Sequence, residues 1–206
     1  MNIFILTAGQ CGSRVVTQAM MDLGYEVPGH DPENLDNRAI GRLSNRFISD
    51  FDATAFVKQY VGDSDNCVYK ALPLLRVASS LEGQLIGVYR HPGAWAKAHV
   101  KRVEARPDKK QFKTPGWWID FHRYLLLWAK KKKIPLLDFS MDFEEDMLRY
   151  FGVTGGYDAS KINQTNDEVP YPPMLDIYEE LTECRKSMEP IIQIQNLLQT
   201  QESGTS

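Results

Sequence analysis

The sequence predicts an α/β fold, a three-layer sandwich on a central parallel sheet, and three observations predict it. The chain opens with a short apolar run, a glycine-rich break and then a helical period. Three further short apolar runs follow, each closing on a polar residue ahead of a helical segment. The composition is that of one ordinary globular domain. It has 206 residues, 43% hydrophobic and 25% charged, with nine Phe, nine Tyr and four Trp to fill a core.

The first strand is read over Ile3 to Leu6, and Thr7 to Gly12 breaks it with two glycines. From Ser13 the residues Val15, Val16, Ala19, Met20 and Leu23 share a helical face, and Gly24 stands where a C-cap belongs. A turn-rich connector runs from Tyr25 to Leu35. Residues 36–60 read as a polar helix with Ile40, Leu43, Phe47, Ile48 and Phe51 as its stripe. Cys67 to Lys70 is a short strand and Leu74 to Leu81 a short helix. Gln84 to Tyr89 is the second clear strand, and Pro92 marks its exit. Ala94 to Glu104 is helical, residues 105–116 form a basic loop, and Trp117 to Lys133 is a long helix ending in four lysines. Ile134 to Phe139 is the last strand. Asp142 and Glu145 have capping-box spacing ahead of a helix to Phe151. A final helix runs from Pro173 to about Gln199, with Pro190 as a break. Residues 1–200 read as one domain and 201–206 as a disordered tail.

The charge is 24 minus 27, or −3, which argues against a dedicated nucleic-acid binder. No apolar run reaches the roughly 20 residues that span a bilayer. The N-terminus lacks a basic n-region, so it reads as a strand and not a secretory signal. Three widely spaced cysteines, Cys11, Cys67 and Cys184, do not form a disulfide framework or a zinc site. A reducing cytoplasm is the default.

The chemistry sits at strand ends. Gly9-Gln10-Cys11-Gly12-Ser13-Arg14 joins the first strand to a helix N-terminus, where amides and the helix dipole favour a phosphate or sulfate. Gly9 and Gly12 let the backbone curl, Ser13 offers a cap or a hydroxyl donor, and Arg14 adds charge. The loop has no Gly-Lys-Ser/Thr and no Gly-x-Gly-x-x-Gly, which sets it apart from nucleotide-triphosphate and dinucleotide loops. Arg90 and Lys70 each end a parallel strand, at the edge where open α/β sheets bind ligands. Cys11 at a helix N-terminus invites comparison with Cys-based phosphatases, but their His-Cys-x5-Arg pattern is not met. Trp117-Trp118 has the chemistry to stack a sugar or adenine ring, but core packing is the favoured reading, and His99 and His122 read as surface or core-edge residues.

On these residues the chain resembles the sulfotransferases that use 3′-phosphoadenosine-5′-phosphosulfate (PAPS), over roughly residues 2 to 153. Gln10-Cys11-Gly12-Ser13 stands where the family has Lys/Arg-Ser-Gly-Thr, and Tyr89-Arg90-His91-Pro92 matches its Arg-x-Pro. Trp118 to Lys133, Ile134 to Phe139 and Phe143 to Val153 resemble its long helix, strand and Phe-Leu-Gly-Leu helix end. Gln10 replaces the loop's basic residue, Ala98 stands in the place of the phosphate-binding serine, and Lys70 is followed by Ala-Leu-Pro in place of Thr-His. The resemblance implies a P-loop-like sulfotransferase topology. It implies PAPS as co-substrate, held by Gly9, Gln10, Cys11, Gly12, Ser13, Arg14, Arg90 and the Ala98 position. The acceptor would be a small molecule or saccharide, the chemistry needs no metal, and Lys70 and Arg14 are the cations for the leaving group. His30 is the candidate base, with Asp31 and Glu33 beside it and His91 as rival. The seven Lys/Arg of 97–113 would attract an anionic group or form a solvated face. Loops 25–35, 105–116 and 154–172 would shape the acceptor pocket. The rivals are a nucleoside-kinase-like P-loop protein, which wants a loop lysine and magnesium, and a catalytically inactive binder that keeps the fold.

Overall fold

The computed structural model of the chain describes residues 1–32, 35–41, 43, 49–105, 114–153 and 168–188. Four strands form one parallel sheet in the order β2-β1-β3-β4: β1 Ile3–Thr7, β2 Val68–Lys70, β3 Gln84–Tyr89 and β4 Leu136–Asp138. Every residue of β1 is buried, as an inner parallel strand covered on both faces requires. The flanking helices are α1 Ser13–Asp22, α2 Arg38–Gly41, α3 Asp50–Val61, α4 Leu74–Val77, α5 Pro92–Ala105, α6 Pro115–Lys132, α7 Phe143–Phe151 and α8 Pro173–Lys186.

Local chemistry explains the boundaries. Gly24 (φ 88) turns the chain out of α1, and its N–H bonds Met21 O. Thr114 caps α6 by accepting the Trp117 N–H, with Pro115 at the first helical position. Gly87 lies mid-strand where α6 comes closest, since a Cβ there would stand 2.6 Å from Leu136 and 2.9 Å from Leu125.

Three sequence readings need correction. The helix read over 36–60 is α2 and a separate α3, and its predicted stripe residues Phe47 and Ile48 lie outside the described residues. The Ser49 hydroxyl caps α3 by accepting the Asp52 N–H, and this start turns Ala53 and Val57 inward. Phe51 is therefore 82% exposed. The capping box at Asp142 does not form, because Asp142 bonds Arg185 of α8. His99 and His122 are buried. They belong to a pattern that α5 and α6 share, Pro-Gly-x-Trp-x-x-x-His, in Pro92–His99 and Pro115–His122. Each histidine stacks one turn beyond its tryptophan, with ring centroids at 5.2 Å and 3.8 Å, and Trp95 and Trp118 pack together at 6.3 Å. A histidine so placed fills core volume. The basic loop's residues 106–113, Glu33, residues 154–167, Pro190 and the tail lie outside the described residues.

Candidate functional site

The connection from β1 leads to β2 on one side, while β3 lies on the other. The strand order therefore reverses between β1 and β3, where open α/β sheets leave a crevice. Thr7 pairs with Val88, and continuing that register sets Gly9 beside Arg90.

The loop after β1 holds three residues with left-handed φ: Gly9 (75°), Gln10 (54°) and Gly12 (84°). Gln10 is a non-glycine in that region, a conformation that costs free energy and is held by its surroundings. Gly12 also forms the N-cap of α1. A Cβ there would stand 2.0 Å from the Phe139 ring, so only glycine fits. No side chain caps α1, and the Ser13 hydroxyl does not serve that end. Among the described residues the amides of Gly12, Ser13 and Arg14 donate to no protein acceptor. They leave a helix N-terminus with open donors.

Arg90 is buried and turns toward this loop. Its Nη1 donates to Gln10 O at 3.2 Å, and its guanidinium lies 5.4 Å over the Phe139 ring. Burial lowers its pKa from the ordinary arginine value, with the Cys11 thiol opposing. Cys11 is buried, and its Sγ donates to Gly9 O at 3.3 Å. It is a packed loop residue.

The β2 side carries the second half. Lys70 is only 3% exposed, and its Nζ pairs with Asp36 at 3.1 Å. Burial lowers its pKa despite Asp36, and Arg14 and Arg102 push it the same way. Arg14 and Arg102 thus add to the positive field around Lys70. Arg102 lies one helical turn beyond Ala98 on α5, so the two share a stripe. Ala98 is half-buried and brings only a methyl group, and its neighbour His99 is turned into the Trp95 stack.

Fully buried Asn37 ties the connector to this strand end. Its Oδ1 accepts the Lys70 N–H at 2.5 Å, its N–H donates to Lys70 O at 3.0 Å, and its Nδ2 donates to Pro28 O at 2.7 Å. His30 bridges to Asn37 in the backbone. Its Nδ1 lies 2.7 Å from Val27 O, and a carbonyl only accepts, so Nδ1 carries a proton and donates it there. His91 is set the other way, because its Nδ1 accepts the Gly93 N–H at 3.3 Å. Asn37 and Arg102 carry no motif that would single them out. The only signal was their place, Asn37 seven residues beyond the His30 region and Arg102 inside the basic 97–113 run.

The structure thus brings Gly9, Gln10, Cys11, Gly12 and Arg90 together, with Lys70, Arg14 and His30 on the adjoining edge. The arrangement is an α/β protein with donors and cations gathered at the switch point of its sheet. No family model matches the chain, and no curated protein or solved structure matches it. Among the described residues no helix is long and apolar enough to cross a membrane.

Proposed function

We propose that the chain is a sulfotransferase, moving the sulfuryl group of PAPS to a hydroxyl or amine of a small-molecule or saccharide acceptor. One observation carries this reading. The loop with open α1 amides and the strand-end Arg90 meet through the Arg90–Gln10 hydrogen bond at the switch point. The resemblance in sequence associates these same two elements with the 5′-phosphosulfate and the 3′-phosphate.

In this reading the acceptor oxygen or nitrogen attacks sulfur, and the bond from sulfur to the phosphate oxygen breaks. The electron pair leaves on 3′,5′-phosphoadenosine. The acceptor proton passes to Nε2 of His30, whose Nδ1–H is held by the Val27 carbonyl. Amides 12–14 and the cations Lys70, Arg14 and Arg102 stabilise the charge that develops on the leaving phosphate. The field of Arg14 and Arg102 around Lys70 offsets the loop charge that Gln10 does not supply. Ala98 favours a second reading, a binder that keeps the nucleotide and lacks turnover.

Thermal denaturation with 3′,5′-phosphoadenosine tests the proposal, because a ligand of the folded state raises its stability. A rise at millimolar ligand without magnesium supports it, and acceptor turnover separates enzyme from binder. No rise, with one from ATP and magnesium, favours the kinase-like rival and overturns the proposal.

A further inference from the structure

Phe139 stands where the site meets the far end of the molecule. Its ring fills the space that Gly12 leaves empty and lies beneath the Arg90 guanidinium. Its N–H bonds Tyr89 O at 2.9 Å, and its other edge meets Phe143 of α7 at 5.1 Å. Both flanking side chains are committed to polar partners. Ser140 Oγ accepts the His91 N–H at 2.9 Å, so it fixes the chain just past Arg90. Asp138 Oδ1 accepts the Ser140 N–H at 2.9 Å, and its Oδ2 accepts the Tyr178 hydroxyl of α8 at 2.6 Å. The Tyr178 ring also packs edge-on against His91 at 5.0 Å. Ordinary core packing would account for the ring alone. It does not require that the residues on either side tie one turn to both the β3 exit and α8.

We propose that Phe139 is the positioning residue of the anion loop and of Arg90, and that α8 sets it through the Tyr178–Asp138 hydrogen bond. The proposal rests on the loop being the anion site and adds how that site is regulated. Anchoring α8 orients the Asp138–Ser140 turn, and the turn presents the Phe139 ring to Gly12 and Arg90.

Asp138 makes the coupling readable. Burial pushes its carboxyl up to about 6. The groups facing it are Tyr178 and Arg185 from α8, Asp146 from α7 with Asp142 behind it on Arg185, and Tyr89 from β3 with His91 beyond. Protonating Asp138 removes the charge assistance of the bonds from Tyr178 and Ser140, so the turn relaxes.

The test is nuclear magnetic resonance of the full, ligand-free chain across pH, following the Gly12 and Ser13 amides and the Arg90 Nε–H. In the native sequence all three shift with one midpoint near 6. Asp138→Asn flattens that titration. Tyr178→Phe moves the midpoint upward, because the lost hydroxyl favoured the ionised carboxyl. Phe139→Leu leaves the titration at Ser140 and His91 but abolishes it at Gly12. Signals at Gly12 and Arg90 that do not titrate, or that titrate unchanged in Asp138→Asn, overturn the proposal and assign any transition to His91 or Asp146. Should Phe139→Leu fail to fold, the other two variants decide. These readouts use no ligand. A chain that ignores 3′,5′-phosphoadenosine yet shows the shifts therefore loses the sulfotransferase reading and keeps the coupling, and the reverse result does the opposite.

Discussion

Two buried cations invite comparison. Arg185 on α8 is matched by two carboxylates, Asp146 at 2.7 Å and Asp142 at 2.8 Å, and these partners raise its pKa above the ordinary arginine value against the pull of burial. Lys70 at the end of β2 is as deeply buried and pairs with Asp36, which is 45% exposed, yet its pKa is lowered. The first cation is balanced by the protein and holds helices together. At the second, burial together with the fields of Arg14 and Arg102 outweighs Asp36, an environment that an arriving anion would relieve.

The largest expected effect breaks the balanced pair. Arg185→Met leaves Asp146 buried without its partner and costs about 3–5 kcal/mol in urea denaturation. Lys70→Met changes stability by less than about 1 kcal/mol, because Asp36 is returned to solvent. An equal loss in both would mean that Lys70 is a structural cation like Arg185.

Gly12→Ala comes next. The left-handed φ and the overlap with Phe139 together cost about 2–4 kcal/mol, measurable by the same denaturation. A neutral result would mean that the loop does not press on Phe139.

Acidity sharpens the balanced region. The Asp138 carboxyl has a native pKa raised from 3.8 to about 6. The native state therefore takes up this proton before the unfolded chain does. As pH falls from 7 to 5, this group restores about 1.3 kcal/mol of stability, on the way to about 3 kcal/mol once pH is below the unfolded value. Asp138→Asn should remove that gain from stability-versus-pH curves.

The cation-rich region is probed by ligand. Lys70→Met and Arg90→Ala should each weaken 3′,5′-phosphoadenosine at least about tenfold by calorimetry. Lys131→Ala, on the exposed end of α6, should leave it unchanged. An arriving anion raises the lowered Lys70 pKa, so binding takes up a proton. Affinity should then fall as pH rises through a range below that of an ordinary lysine. The smallest effect is at the exposed Lys130–Glu180 pair, 3.4 Å apart, where Lys130→Ala should cost under about 0.5 kcal/mol.

Much of the fold was legible because its elements are locally encoded. β1 and β3 are mostly apolar runs, and α6 announces itself with its apolar face and terminal lysine run, although its Thr114–Pro115 start read as loop. The loop, Lys70 and Arg90 were legible as strand-end residues. Less legible were residues whose roles depend on distant partners. Asp142 carries the spacing of a capping box, yet a guanidinium 43 residues away claims its carboxylate. Phe51 fits a helical stripe, yet the cap at Ser49 rotates it to solvent. His99 and His122 look like polar helix positions, yet each lies flat on a tryptophan in the core. Asn37 and Arg102 have no local signature, because what distinguishes them is proximity to Lys70.

By itself the sequence determined the alternation of strands and helices, the glycine break after β1 and the cations that end β2 and β3, because hydrophobic period, glycine and chain order are properties of neighbours. Only the tertiary structure decided that Phe139 fills the space of Gly12, that Arg90 turns back onto the loop, and that carboxylates raise the pKa of one buried cation while burial lowers that of the other. Those outcomes depend on which residues from separate segments exclude water together, and no local pattern carries that information.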